Sequence, residues 1–401
     1  MRTELNNVPL AYSVISVCKG DFLMYSNRKI GLALSGGGIR ACIFHLGVLQ
    51  CLAEQQLLNR VASLSSVSGA SLCIALIFSA AGNRWPSDEA YLETVLPEIR
   101  RRVLSSDIEL SALLHMPFAP WLWRNRVQLI ARAMERKWSI NGNLQDLPDA
   151  PYWEINCTTF ETGKSFRIRK DYMGDHRLGY TQRPNLKIAD MAAASAGFPI
   201  LIGPYRLDMT RHAWSRDKHG KEPFIPARRR CSLWDGGVYD NLGLEALYKI
   251  GRGLDDEIQF LIVSNASGTS GDAEHSFLHP LRNLHRLLDI ALEQVGALRT
   301  RDITASVMEK GNGVYLRIGD TAAEIAAACG APKDIADTLA RQCMPAADAR
   351  RARHYPTTLR TPSAADYDLL LRHGYENALC NFACHHARES YGRHKTMSKS
   401  E

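Results

Sequence analysis

The chain has 401 residues, 45% hydrophobic and 23% charged, a balance that indicates one large or two modest globular domains and excludes a largely disordered chain. Its net charge of +7 suits visits to anionic membrane surfaces but is too diffuse to indicate nucleic acid binding. No run of eighteen apolar residues occurs, so no transmembrane helix is expected, and the ten cysteines are scattered. Cys42, Cys51, Cys73 and Cys157 sit in apolar surroundings, which favours reduced buried thiols over a disulfide framework, hence a reducing, cytoplasmic setting.

At the N-terminus, Val8 to Cys18 is the one candidate for a secretory core, but Glu4 interrupts the basic flank and no small-residue cleavage site follows. A first strand or surface segment is expected there. From Arg28 to about Ala81 the chain alternates: Ile30 to Leu34 and Val61 to Ser66 have strand character, Ala41 to Gln55 and Ser71 to Ala81 helix character. This spacing predicts a parallel strand pair with a right-handed crossover, as in an open α/β sheet. Ligands in such sheets lie beyond the carboxyl ends of the strands, where two small-residue turns fall, Ser35-Gly36-Gly37-Gly38 and Ser66-Val67-Ser68-Gly69-Ala70.

Residues 83–150 break the alternation with Pro86, Pro117, Pro120 and Pro148 around helical stretches. Trp121, Trp123, Arg124, Arg126, Arg132 and Arg136 stand together there. Two readings are open: a helix packed on the core, or an interfacial anchor beside the site, since Trp prefers the headgroup boundary and Arg its phosphates. Trp153 to Phe160 and Ser165 to Arg169 then flank Glu161-Thr162-Gly163-Lys164 as a hairpin. Ile188 to Ile200 reads as a small-residue helix stopped by Gly197 and Pro199, able to lie close to the helix after Ser68. Residues 203–231 are polar and basic, suiting a loop or edge hairpin. Leu233-Trp234-Asp235-Gly236-Gly237 and the strand Ile258 to Ser264 follow, and from about His275 the pattern is mostly helical.

Two turns of this kind can supply a nucleophile and a donor cradle for the charge it creates. Ser68 lies between strand and helix with small residues behind it, although Ser66 and Ala70 replace the outer glycines of G-x-S-x-G. The rival for Ser68 is a helix cap. The rival for the glycines is a dinucleotide cradle, but that fingerprint needs an acidic residue ending the next strand, where Ser65-Ser66-Val67-Ser68 stand. A serine hydroxyl needs a base. On the residues alone, Asp235 or a later histidine such as His279 or His285 could serve, with Asp235 alone presented by a glycine turn at a strand end. Cys380, Cys384, His385 and His386 have spacing that could hold a metal, but no further ligands stand nearby and packed helix thiols suit them better.

The ordered set Ser35-Gly36-Gly37-Gly38-Ile39-Arg40-Ala41, Ser66-Val67-Ser68-Gly69-Ala70-Ser71, Ala194-Ser195-Ala196-Gly197-Phe198-Pro199 and Asp235-Gly236-Gly237 resembles the patatin-like phospholipase family over about residues 28–268. Ser35 stands where plant patatins carry Asp, as it does in the related cytosolic phospholipases. The resemblance implies a three-layer α/β/α fold with a mainly parallel central sheet. The core would span 28–268 with an inserted helical segment at about 83–150, and a mainly helical region, 269–401, would cover it. It further implies lipid acyl hydrolysis by a Ser–Asp dyad with no metal or organic cofactor: Ser68 as nucleophile, Asp235 as base, Gly36, Gly37 and Gly38 lining an oxyanion hole, and Arg40 supporting that loop. The expected partners are a phospholipid or other fatty acyl ester and, peripherally, a membrane surface, not nucleic acid. A transacylase using the same acyl-enzyme and a noncatalytic lipid-binding protein are the alternatives.

Overall fold

A computed structural model of the chain describes residues 24–115, 126–199, 202–268 and 280–397. The Val8 to Cys18 segment, Trp121, Trp123, Arg124 and His279 lie outside these residues. Ile30–Leu34 is apolar throughout and forms β1, buried along its whole length between two parallel neighbours. A crossover through α1 (Gly38–Glu54) leads to β2 (Val61–Val67), which runs into α2 (Gly69–Ala80).

The insertion contributes α3 (Asp88–Ala90), a turn of π-helix at Tyr91–Val95, α4 (Leu96–Ser105), α5 (Ile108–His115) and α6 (Arg126–Lys137). α6 buries Val127, Leu129, Ile130, Ala133 and Met134, so the described part of the basic aromatic segment is a packed helix.

The chain then returns as β3 (Tyr152–Thr159), parallel to β2, followed by an antiparallel ladder of β4 (Lys164–Ile168), β5 (Tyr172–Asp175) and β6 (Gly179–Gln182). After α7 (Ile188–Ser195) and β7 (Tyr205–Asp208), the short strands β8 (Trp214–Ser215) and β9 (Pro223–Phe224) extend that ladder as an edge hairpin. β10 (Arg230–Asp235) pairs with β3 on the side that β2 occupies, but beyond the end of β2: Asn156 is opposite Val67, and Cys157 is opposite Asp235. This succession on one flank of β3 brings Asp235 to the end of β2.

Then come α8 (Gly237–Asp240), a small hairpin of β11 (Tyr248–Lys249) and β12 (Gly253–Leu254), and β13 (Phe260–Asn265), which pairs in parallel with β1. The C-terminal region holds α9 (Pro280–Ile303), α10 (Ala322–Cys329), α11 (Lys333–Gln342), α12 (Ala346–Arg353) and α13 (Ala364–Met397). It also holds β14 (Gly313–Arg317), an edge strand parallel to β13 that the helical reading did not anticipate. Five residues are too few to show a period against helical flanks, although Val314 and Leu316 alternate inward.

Successive residues of the central strands face opposite layers. Ile30, Leu32, Leu34, Phe260 and Ile262 join the large core with α1, α2 and α13, whereas Ala33, Leu261 and Val263 pack on a smaller cluster with Leu242, Ile258 and Ile303. The result is the expected three-layer α/β/α arrangement. α13 crosses α1 backbone to backbone: a Cβ at Gly47 would strike the Leu371 carbonyl, and one at Gly374 the Phe44 carbonyl. The helical tail is therefore seated directly on the helix that follows the glycine turn.

Candidate active site

Ser68 alone makes the turn from β2 to α2, with φ 52° and ψ −118°, a backbone conformation costly for a residue with a Cβ. Such strain persists only where the surroundings enforce it. The Ser68 side chain makes no capping bond to α2, which removes the helix-cap reading. Its N–H donates to Ser195 Oγ at 3.0 Å, and that hydroxyl donates to the Asn156 carbonyl at 2.7 Å and accepts from Ser71 Oγ at 2.9 Å. Ser195 reaches this point because α7 is built of small residues and packs against α2.

The departures from the glycine version of the elbow are absorbed locally. Ser66 is fully buried, its hydroxyl accepting from Trp153 Nε1 at 2.8 Å and pairing with Ser71 Oγ at 2.8 Å. Ala70 is buried without conflict, while Gly69 is indispensable sterically because the Gly38 carbonyl lies where its Cβ would be.

Asp235 ends β10 with only 4% of its surface exposed. Its N–H donates to the Gly197 carbonyl at 3.1 Å, and its own carbonyl accepts from Thr158 Oγ1 at 2.9 Å. The carboxylate accepts from Gly237 N–H at 2.7 Å and from the Ser68 hydroxyl. Burial pushes its pKa up to about 6, against the opposing pull of those two donors. A buried carboxylate bonded to a serine on a strained turn can act as a base near neutral pH.

The glycine turn is narrower in chemistry than the sequence suggests. Gly36 N–H is already donated to the Asn241 carbonyl at 3.2 Å, so it is not one of the bare donors expected; Gly36 instead lies against Ser68, whose Cβ would be 3.0 Å from a Cβ placed on the glycine. Gly37 (φ 148°) and Gly38 (φ 62°) require glycine, and neither N–H has an acceptor among the described residues. Arg40 is buried and donates through Nε to the Ala266 carbonyl at 3.1 Å and through its guanidinium to the Tyr355 carbonyl. Burial lowers its pKa to about 10, which leaves it cationic at neutral pH. Behind the turn, His45 bridges the Ser35 carbonyl and Ser264 Oγ, both at 2.9 Å, and burial takes its pKa down to about 4, so the imidazole is neutral.

The far end of the chain closes the turn from outside. Thr358 places its carbonyl on Ile39 N–H at 2.8 Å, and Glu109 of α5 holds both Thr358 Oγ1 at 2.8 Å and Leu359 N–H at 3.0 Å. Sequence reasoning singled out none of Ser195, Asn156, Asn241 or Glu109 as positioning groups; the small-residue run around Ser195 was the one available signal. Away from this site, Cys380 faces Cys343, Sγ to Sγ 3.3 Å, as packed thiols.

Fold and site together define an α/β protein with a serine and an aspartate meeting at the carboxyl edge of its sheet. The patatin-like phospholipase family model matches residues 32–248, and the chain belongs to that family, one of lipid esterases. No curated protein sequence matches it. Among solved structures, human GIVD cytosolic phospholipase A2 aligns with a TM-score of 0.51 at 13% identity, covering 94% of this chain and 65% of that one. VipD from Legionella pneumophila aligns with a TM-score of 0.40 at 14% identity, covering 89% of this chain and 67% of that one. The chain thus spans just under two thirds of the human structure's length.

Proposed function

We propose that the protein hydrolyses fatty acyl esters of lipids, as a phospholipase A or lysophospholipase, through a Ser68–Asp235 dyad. The observation that carries this reading is the hydrogen bond from the Ser68 hydroxyl to the buried Asp235 carboxylate at a strained strand-to-helix turn. In the proposed reaction Asp235 takes the hydroxyl proton as Ser68 Oγ attacks the ester carbonyl. Gly37 and Gly38 N–H then receive the oxyanion, each such donor contributing on the order of 3 kcal/mol in comparable sites. Gly36 lines the cradle by packing, and Arg40 holds the loop's shape. Collapse breaks the ester C–O bond, the proton passing from Asp235 to the departing alcohol or lysophospholipid, and leaves acyl-Ser68. A water deprotonated by Asp235 then releases the fatty acid. No metal or organic cofactor has a step in this scheme.

The substrate is supplied at a membrane surface, to which the net charge of +7 draws the protein. No helix among the described residues is long and apolar enough to cross a membrane. Peripheral contact and a cytoplasmic setting complete the proposal, with residues 28–268 as the catalytic core and 269–401 as the region that covers and braces it. A fluorophosphonate probe should label Ser68, identified by mapping the modified peptide. Folded Ser68→Ala and Asp235→Asn proteins should lose ester hydrolysis, and turnover retained in either would remove the dyad.

A further inference from the structure

Against β4, β5 and β6, with Tyr239 of α8 in its wall, lies a second concavity, of about 290 Å³, near the lower limit of small-molecule sites at about 300 Å³. Lys164 and Arg167 of β4, Lys218 between β8 and β9, and Lys249 of β11 converge on it from three separate segments. The lysine ion pairs among the described residues belong to Lys29, Lys170 and Lys187, so the three lysines of the cavity have no carboxylate partner there. The acids around it are engaged. Asp175 accepts from the Thr159 and Thr162 hydroxyls and from the N–H groups of Arg177 and Leu178. Glu245 is shared between Arg299 at 3.4 Å and Arg167 at 3.8 Å, and Glu154 lies 3.3 Å from Arg167.

Lys218 is the most telling member. Its ammonium sits 4.9 Å from the Tyr172 ring and 5.7 Å from the Tyr180 ring, and burial together with the Arg167 cation lowers its pKa. Holding like charges together in a half-buried concavity is unfavourable unless an anion joins them. The phenols of Tyr180 and Tyr239 also line the cavity, and neither hydroxyl is hydrogen-bonded among the described residues. Lys218 Nζ reaches the Tyr172 hydroxyl at 3.4 Å and Arg167 the Glu245 carbonyl at 3.1 Å, but three lysines without a carboxylate partner and two phenols without an acceptor are the complement of a tetrahedral dianion with several acceptor oxygens.

We propose that this cavity binds a phosphomonoester dianion, either on a lipid headgroup or on a small soluble ester. The register places it beside the site already described. Cys157 of β3 is opposite Asp235 on one side and Phe166 of β4 on the other, so the backbone carrying Lys164 and Arg167 and that carrying Asp235 are two strand spacings apart, roughly 10 Å. The inference does not depend on the hydrolytic reading, because binding is measured without turnover.

The test compares the full-length protein with a Lys164→Gln, Lys218→Gln, Lys249→Gln variant. The control, Lys137→Gln, Lys310→Gln, Lys333→Gln, removes the same charge from exposed positions elsewhere. Titration calorimetry with inorganic phosphate and glycerol 3-phosphate reads the soluble arm. Cosedimentation with phosphatidylcholine vesicles, with and without phosphatidic acid, reads the lipid arm. In at least one arm the wild-type protein should bind, the site variant should weaken by about tenfold or more, and the control should stay near wild type. Selective loss in the vesicle arm alone assigns a lipid headgroup, and selective loss with soluble esters alone assigns a soluble ligand. Equal weakening in both variants, or no wild-type response in either arm, overturns the proposal.

Discussion

The backbone N–H of Ser68 is fixed by the hydroxyl of Ser195, 3.0 Å away on a helix far along the chain. The same hydroxyl is spent on the Asn156 carbonyl and Ser71, so it ties β3, α2 and the elbow at one atom. The strained φ of Ser68 is enforced there rather than by its own flanks.

Ser195→Ala should therefore leave the Ser68 N–H without its acceptor and the Asn156 carbonyl without this donor, at about 1–3 kcal/mol of stability, while Ser71 Oγ keeps Ser66 Oγ as a partner. As Ser195 positions Ser68, kcat should fall several-fold with KM and the pH midpoint little changed. Steady-state kinetics across pH, alongside thermal melting, checks this, and an unchanged kcat would make Ser195 merely structural.

The raised pKa of Asp235 predicts both a rate profile and a stability profile. The base works ionised, so kcat/KM should fall about tenfold per pH unit below about 6 and level off above it. For stability the sign runs the other way: the folded protein holds the proton more tightly than the unfolded chain, so burying the charge costs nothing below pH 3.8. The cost grows to about pH 6 and is full above it. Asp235→Asn should abolish turnover yet stabilise the protein above neutrality by on the order of 3 kcal/mol, with no gain near pH 3.5. Denaturant melts at both pH values decide it.

Gly69→Ala places a methyl group against the Gly38 carbonyl. Separating the two turns should cost about 1–3 kcal/mol and suppress fluorophosphonate labelling of protein that still folds. Labelling at the wild-type rate would show that the glycine cradle is not part of the reaction.

Glu109→Ala removes the acceptor for Thr358 Oγ1 and Leu359 N–H, and with it the brace on Ile39. Faster amide hydrogen exchange at residues 38–44 and a several-fold lower kcat are expected, read by exchange mass spectrometry and kinetics.

The parts of this fold and site legible in the sequence are the local ones. Ile30 to Leu34 and Val61 to Ser66 have strand character and lead into small-residue turns, and Asp235 stands out because glycines follow it at a strand end. What stayed hidden depends on partners distant in the chain. Nothing near Gly36 announces that Asn241 takes its N–H, nor near Arg40 that residues 266 and 355 receive its guanidinium. β14 was missed because a five-residue edge strand carries too little periodicity to compete with the helices beside it.

The bracing of the glycine turn by Thr358 also sets an order of assembly. A chain emerging from the ribosome as far as residue 268 already contains Ser68 and Asp235, but the carbonyls of Tyr355 and Thr358, which hold Arg40 and Ile39, are still inside the tunnel or unsynthesised. The glycine turn is then braced only once the segment carrying Tyr355 and Thr358 has been made, so its final shape waits on residues synthesised well after the serine and the aspartate.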